Sequence, residues 1–141
     1  MVKKTPLMNT KEKALDYFKS KNVLVQAQIP VIEKMEYIFI HADYSLMKIM
    51  LEDILYIEGL KDYIKIHLRT QKFPVVCRMT MKLIEEKLPS AEFQRIHKSF
   101  IVSLKKVESI RNQKIKIGEN HIPLSDNYSE QFYQTIGYQK P

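Results

Sequence analysis

The stretch Tyr63-Ile64-Lys65-Ile66-His67-Leu68-Arg69 decides the fold class, because its side chains change character at every residue. Successive side chains of a strand point to opposite faces, so this spacing sets Ile64, Ile66 and Leu68 against a core. Tyr63, Lys65, His67 and Arg69 are left on a wet, basic face. Upstream, the same period runs through Tyr37-Ile38-Phe39-Ile40-His41, followed by a polar turn at Ala42-Asp43 and a second run from Leu46 to Leu51, which predicts an antiparallel hairpin. Asp53 to Glu58 supplies another strand, with Gly59-Leu60-Lys61-Asp62 as turn chemistry before Tyr63. Phe73 to Arg78 can pair back, and Pro74 marks an edge strand or a strand start.

The period changes at Met79 to Leu88. Thr80 is a candidate N-cap, Met81, Ile84 and Leu88 share one side, and Pro89 closes the helix. Strand-like runs resume at Ser99 to Leu104, Val107 to Arg111, Lys114 to Ile117 and His121 to Leu124, with Gly118-Glu119-Asn120 as a hairpin tip. Ser125 then caps a helix carrying Asp126 in its first turn, Tyr128, Phe132 and Ile136 on one side, and Gly137 just past its end. Eight or nine short strands and three short helices define a mostly β chain of short antiparallel sheets.

A length of 141 residues, with 45% hydrophobic residues, is the material of one domain with its own core. Residues 1–35 read as an arm containing Lys3, Lys4, Thr5 and Pro6, a short helix from Thr10 with Leu15 and Phe18 on one side, and a linker interrupted by Pro30. Residues 36–141 form the domain proper. A single cysteine, Cys77, precludes an intramolecular disulfide and a Cys-rich metal site and places the chain in a reducing, cytoplasmic compartment. No signal-peptide core is found in residues 1–21, and no apolar run approaches the roughly 20 residues of a membrane helix.

Charge is unevenly distributed. Basic and acidic side chains balance in residues 1–60, eight of each, whereas residues 61–116 hold fourteen basic side chains against five acidic ones. Such an excess suits a polyanionic partner, although a solvated lysine-rich surface has the same composition.

Enzymatic chemistry finds no support in the motifs. Gly59, Gly118 and Gly137 are isolated, so no glycine-rich loop can cradle a phosphate, and no cofactor is expected. The four histidines lack ligand spacing, so no metal is expected. Glu52-Asp53 and Glu85-Glu86 are adjacent in sequence, and adjacent side chains diverge; they read as solvated faces. Cys77, between valine and arginine in a strand, reads as a small buried apolar residue. One constellation stands out: Phe93-Gln94-Arg95-Ile96-His97-Lys98-Ser99-Phe100-Ile101-Val102 interleaves the donors Arg95, His97, Lys98 and Ser99 with apolar anchors, a pattern that can hold several donors toward one anionic surface. A strand with a charged solvent edge gives the same pattern.

That block, together with Glu52-Asp53-Ile54-Leu55-Tyr56-Ile57-Glu58 running to Tyr63, then Leu88-Pro89, and last Ile122-Pro123-Leu124-Ser125, resembles the LytTR-type DNA-binding domain over residues 36–137. The resemblance implies a mostly β domain that enters successive major grooves of duplex DNA with loops, commonly as two copies on repeated sites. It further implies a bacterial two-component response regulator whose output half this is, with a receiver domain and a sensor histidine kinase upstream; Lys11 to Ser20 would then be the receiver's last helix. Carried over by position, the DNA-contacting segments are Lys61, Asp62 and Tyr63; Arg95, His97, Lys98 and Ser99; and Ser125, Asp126 and Asn127. Lys98 and Asn127 are assigned to base edges, and Lys61, Lys65 and Lys105 to phosphates. Arg95 has an alternative role, holding the block through an internal carboxylate. This chain has Ser103 where many members have Asn, and Asp126-Asn127 where many have Arg, a departure that removes a guanine reader.

Two other classes share the charge pattern. A β-sheet RNA binder would use Lys-rich strands with Tyr and Phe, but no strand here carries the Gly-aromatic core of an RNP1-like motif. An interaction module could set the basic segment against acidic lipid or an acidic protein.

Overall fold

The computed structural model describes residues 34–139. The arm, the helix from Thr10 and most of the linker expected over residues 1–35 fall outside the described residues. Ten strands and two α-helices follow in chain order: β1 (Tyr37–Ala42), β2 (Ser45–Met50), β3 (Ile54–Leu60), β4 (Tyr63–Leu68), β5 (Val75–Arg78), α1 (Met81–Lys87), β6 (Phe93–His97), β7 (Phe100–Ser103), β8 (Ser109–Arg111), β9 (Lys114–Ile117), β10 (Asn120–Pro123) and α2 (Asp126–Thr135). Single 3₁₀ turns at Leu51–Asp53 and Leu104–Lys106 join β2 to β3 and follow β7.

All pairings are antiparallel, in three sheets: the hairpin β1-β2, a five-stranded sheet in the order β5-β4-β3-β7-β6, and a three-stranded sheet β10-β9-β8. The five-stranded sheet is central. One of its faces buries Ile54, Ile57, Ile64, Ile66 and Ile101 with Ile38, Ile40 and Ile49 of the hairpin and Ile84 and Leu88 of α1 and its C-cap. The other buries Tyr56, Ile96 and Val102 with Ile115, Ile117 and Ile122 of the three-stranded sheet and Phe132 of α2. Neighbouring residues Tyr56 and Ile57, or Ile101 and Val102, thus serve opposite cores, as period-two geometry requires. Each fully buried Ile or Phe contributes about 1.5–3 kcal/mol relative to exposure.

Several expected boundaries shift. The first hairpin turns at Asp43-Tyr44, both at positive φ (52° and 61°), so that Ala42 pairs with Ser45 instead of entering the turn. This is the backbone that matches strand twist in a two-residue hairpin. Gly59 and Leu60 extend β3, and the turn is Lys61-Asp62 alone, with Leu60 opposite Tyr63. At the other tip, Asn120 pairs with Ile117, leaving Gly118-Glu119 as the turn. The strand expected from Phe73 begins at Val75 and lies at the sheet edge, as Pro74 suggested. The largest difference concerns the block Phe93 to Val102, which is a hairpin, β6 and β7, rather than a strand starting at Ser99. Both helices start where expected: Thr80 Oγ1 accepts from the Leu83 N–H at 3.1 Å, and Ser125 Oγ from the Asn127 N–H at 3.3 Å.

Candidate nucleic-acid interface

Antiparallel pairing carries the Lys61-Asp62 turn and the Lys98-Ser99 turn to the same end of the central sheet, because β3 lies between β4 and β7 and runs toward both. The Gly59 N–H donates to the Ser99 carbonyl at 2.8 Å, tying the two turns together. A Cβ at Gly59 would stand 2.6 Å from Met81 Cγ, so a larger residue there would displace the methionine side chain at the start of α1. The start of α2 joins the same end, since the Ser125 N–H donates to the Ile96 carbonyl at 2.9 Å.

The Lys98-Ser99 turn is held from several sides while the Lys98 side chain is exposed. Ile96 is an extra residue in β6, because Arg95 faces Ile101 and His97 faces Phe100. Such a bulge re-aims the side chains around it. Arg95 turns inward as a result. Its Nη1 donates to Glu85 Oε1 at 3.2 Å, its Nε to the His97 carbonyl at 3.3 Å, and its Nη2 to the Lys98 carbonyl. The guanidinium also lies 5.9 Å from the centre of the Tyr128 ring. His97 points back too: its Nδ1 accepts from the Ser99 N–H at 3.0 Å, and its ring meets Phe100 edge-on. Of the four donors expected to face one anionic surface, the structure therefore turns Arg95 and His97 to holding the turn and leaves Lys98 projecting.

At the neighbouring turn Lys61 sits at φ 56°, a region that costs a non-glycine residue of order 1 kcal/mol or more. Asp62 accepts through its carbonyl from the Met79 N–H at 3.0 Å. Tyr63 is 44% exposed and faces Arg78 across the β4–β5 ladder, with the guanidinium 5.9 Å from its ring. Arg78 is an exposed cation at this end that sequence reading did not single out; its alternation with Val75 and Cys77 was the available signal. Lys65 lies two residues along β4 on the same outer face. Beside it, His67 stacks on Tyr56 at 4.2 Å and meets Glu58 at 3.2 Å. Burial, and secondarily the Glu58 charge, pushes the Tyr56 hydroxyl above its ordinary pKa.

Asn127 is exposed in the first turn of α2. Its neighbour Asp126 is engaged by Gln113, whose Nε2 donates to Asp126 Oδ1 at 3.2 Å and to the Leu124 carbonyl at 3.3 Å. Lys105 is not brought to this end. It follows β7 at the far end of the hairpin, about 10 Å or more from Lys98 along the strand, with its Nζ 3.9 Å from Glu92. Among the described residues Lys61, Lys65, Arg78, Lys82 and Lys98 form no ion pair, so their charge is available to an anion. On β3 and β7 the aromatic residues offer no open stacking platform, since Tyr56 is buried and Phe100 half-buried against the second core.

A β domain that projects the unpaired cations Lys61 and Lys98 from two braced turns, with the polar start of a helix at the same sheet end, belongs to the class that engages a polyanion through loops. Residues 44–137 match the family model of the LytTr DNA-binding domain, more than half of the sequence, and the chain belongs to that family. DNA binding is the function this membership assigns to the domain. Curated relatives include the sensory transduction protein LytT of Bacillus anthracis, 30% identical over 113 residues, and that of Bacillus cereus, 29% identical over 99 residues. The alignments cover 75% and 65% of this chain but only 45% and 39% of those proteins, so the chain spans less than half of their length. Among solved structures, the LytTr DNA-binding domain of a methyl-accepting/DNA response regulator from Bacillus cereus shares the fold with a TM-score of 0.62 at 16% identity, over 74% of this chain and all of that one.

Proposed function

We propose that this domain binds duplex DNA sequence-specifically, as the cytoplasmic output part of a two-component response regulator governed by a receiver domain and a sensor histidine kinase. Two copies on repeated sites would give the affinity that one small footprint lacks. The chain acts here as a binding protein and not as an enzyme. One observation carries the reading: the Lys61-Asp62 turn, the Lys98-Ser99 turn and the Ser125–Asn127 cap are tied by backbone hydrogen bonds to one sheet end, where among the described residues Lys61 and Lys98 form no ion pair.

In this arrangement Lys98 and Asn127 reach base edges, Lys61 and Lys65 meet phosphates, and Asp62, Tyr63 and Ser99 line the contact. Arg95 and His97 hold the turn that presents Lys98. Selection from a random duplex pool, followed by gel shifts at several salt concentrations with competitor DNA, tests the proposal. Lys98→Ala should lose about 1–3 kcal/mol on the selected site and relax preference at one position. Equal binding to shuffled duplex, single-stranded RNA and anionic vesicles would overturn it.

A further inference from the structure

The β8–β9 hairpin retains a pairing that works against its own stability. Arg111 and Lys114 stand directly opposite each other across the Asn112-Gln113 turn, both exposed. Like charges in that position repel, and opposed side chains in an antiparallel pair share a face. Among the described residues neither has an acidic partner. On the same outer face Lys116 is balanced by Glu108 at 3.8 Å, whereas the carboxylate joined to this turn, Asp126, is engaged by Gln113.

The turn is also fixed in place. Asn112 and Gln113 are both at positive φ (53° and 59°), the Leu124 N–H donates to the Gln113 carbonyl at 2.9 Å, and the Gln113 side chain reaches Leu124 and Asp126. The backbone that carries the two cations is thereby fixed beside the start of α2, which is itself bound to Ile96, two residues before Lys98. A repulsive pair carried on a fixed turn next to the braced turns is arranged for an anion supplied from outside.

We propose that Arg111 and Lys114 form a phosphate-binding pair for the backbone of the same duplex that the Lys98 turn engages. This rests on the DNA-binding reading above. The pair touches phosphates only, so it supplies affinity and register but no base preference.

The test is the double variant Arg111→Gln/Lys114→Gln in the full chain, measured on a duplex recovered from a random pool and on its shuffled counterpart. Two lost phosphate contacts should make the slope of log affinity against log salt shallower by about 1.8. Between 50 and 200 mM salt the parent should then lose about ten times more affinity than the variant. The ratio of selected to shuffled binding should be unchanged, and the thermal midpoint should equal or exceed the parent's, since repulsion has been relieved. A slope equal to the parent's overturns the inference while Lys98→Ala still loses the selected site, and so does a lowered thermal midpoint, which would show that the charges are partnered in the fold. Failure of the parent to prefer the selected duplex overturns the DNA-binding reading itself.

Discussion

Replacing Arg95 with Lys separates two roles that any charge-removing variant would confuse. One guanidinium makes three hydrogen bonds here, to Glu85, to the His97 carbonyl and to the Lys98 carbonyl. A single ammonium keeps the charge but cannot span that fork. The Glu85 carboxylate is 47% exposed, so the ion pair itself contributes at most about 1 kcal/mol. Two carbonyl bonds at a solvent-adjacent turn add about 1 kcal/mol each, below the roughly 1.5–3 kcal/mol of a charge-assisted bond, because water can replace the lost donor and the lysine ammonium can keep one of the two. Arg95→Lys should therefore cost about 1–2 kcal/mol in urea denaturation. If that energy keeps the Lys98 turn in its binding geometry, affinity for the selected duplex falls about tenfold, following the equivalence of 1.4 kcal/mol to one decade. Binding to shuffled DNA and the salt slope should stay at parental values, because charge is conserved and no phosphate contact is lost. Fluorescence anisotropy on both duplexes over a salt series supplies the readout. Full specific affinity in a destabilised Arg95→Lys protein would refute the positioning role. A salt slope reduced by about 0.9 in Arg95→Met, with uniform loss on both duplexes, would show instead that Arg95 meets a phosphate.

Lys61→Gly should raise stability by about 0.5–1 kcal/mol in urea melts by relieving the positive φ, while weakening DNA binding and lowering the salt slope by about 0.9. A fall in both quantities would mean that the lysine side chain supports the fold. Burial raises the pKa of Tyr56 and Cys77 in the folded protein, with Glu58 adding to the effect at Tyr56 and Lys87 opposing it at Cys77. The unfolded chain therefore loses these protons first. The associated stability is complete well below about pH 8.5, the ordinary thiol value at which half of the unfolded thiols are ionised, and is lost as pH rises through the folded values. Urea midpoints from about pH 7 to pH 10 should fall, and Tyr56→Phe with Cys77→Ala should flatten the decline; an unchanged decline would assign it to other groups.

Local pattern determined much of this protein. Alternation at Ile64, Ile66 and Tyr63, Lys65 established a half-buried strand, because the strand period is a property of the backbone and needs no neighbour. The Thr80 and Ser125 caps were equally legible, since a hydroxyl reaching the N–H two or three residues on is a local bond. The resemblance carried by the Arg95 to Val102 block placed the family, and the cations that meet at the sheet end were visible as a charge excess.

What the tertiary structure decided was direction. A one-residue bulge at Ile96 accompanies the inward turn of Arg95 onto Glu85, so of the two roles the sequence offered for Arg95 the geometry matches the internal carboxylate, and no propensity announces that bulge. Lys105 was indistinguishable from Lys98 in composition, yet the hairpin sends the two lysines to opposite ends. Arg111 and Lys114 became a pair only through the β8–β9 register. Sequence spacing specifies which face a residue occupies. Which end of a sheet it occupies, and which cation finds a carboxylate, depends on long-range pairing and is settled when the chain closes on itself.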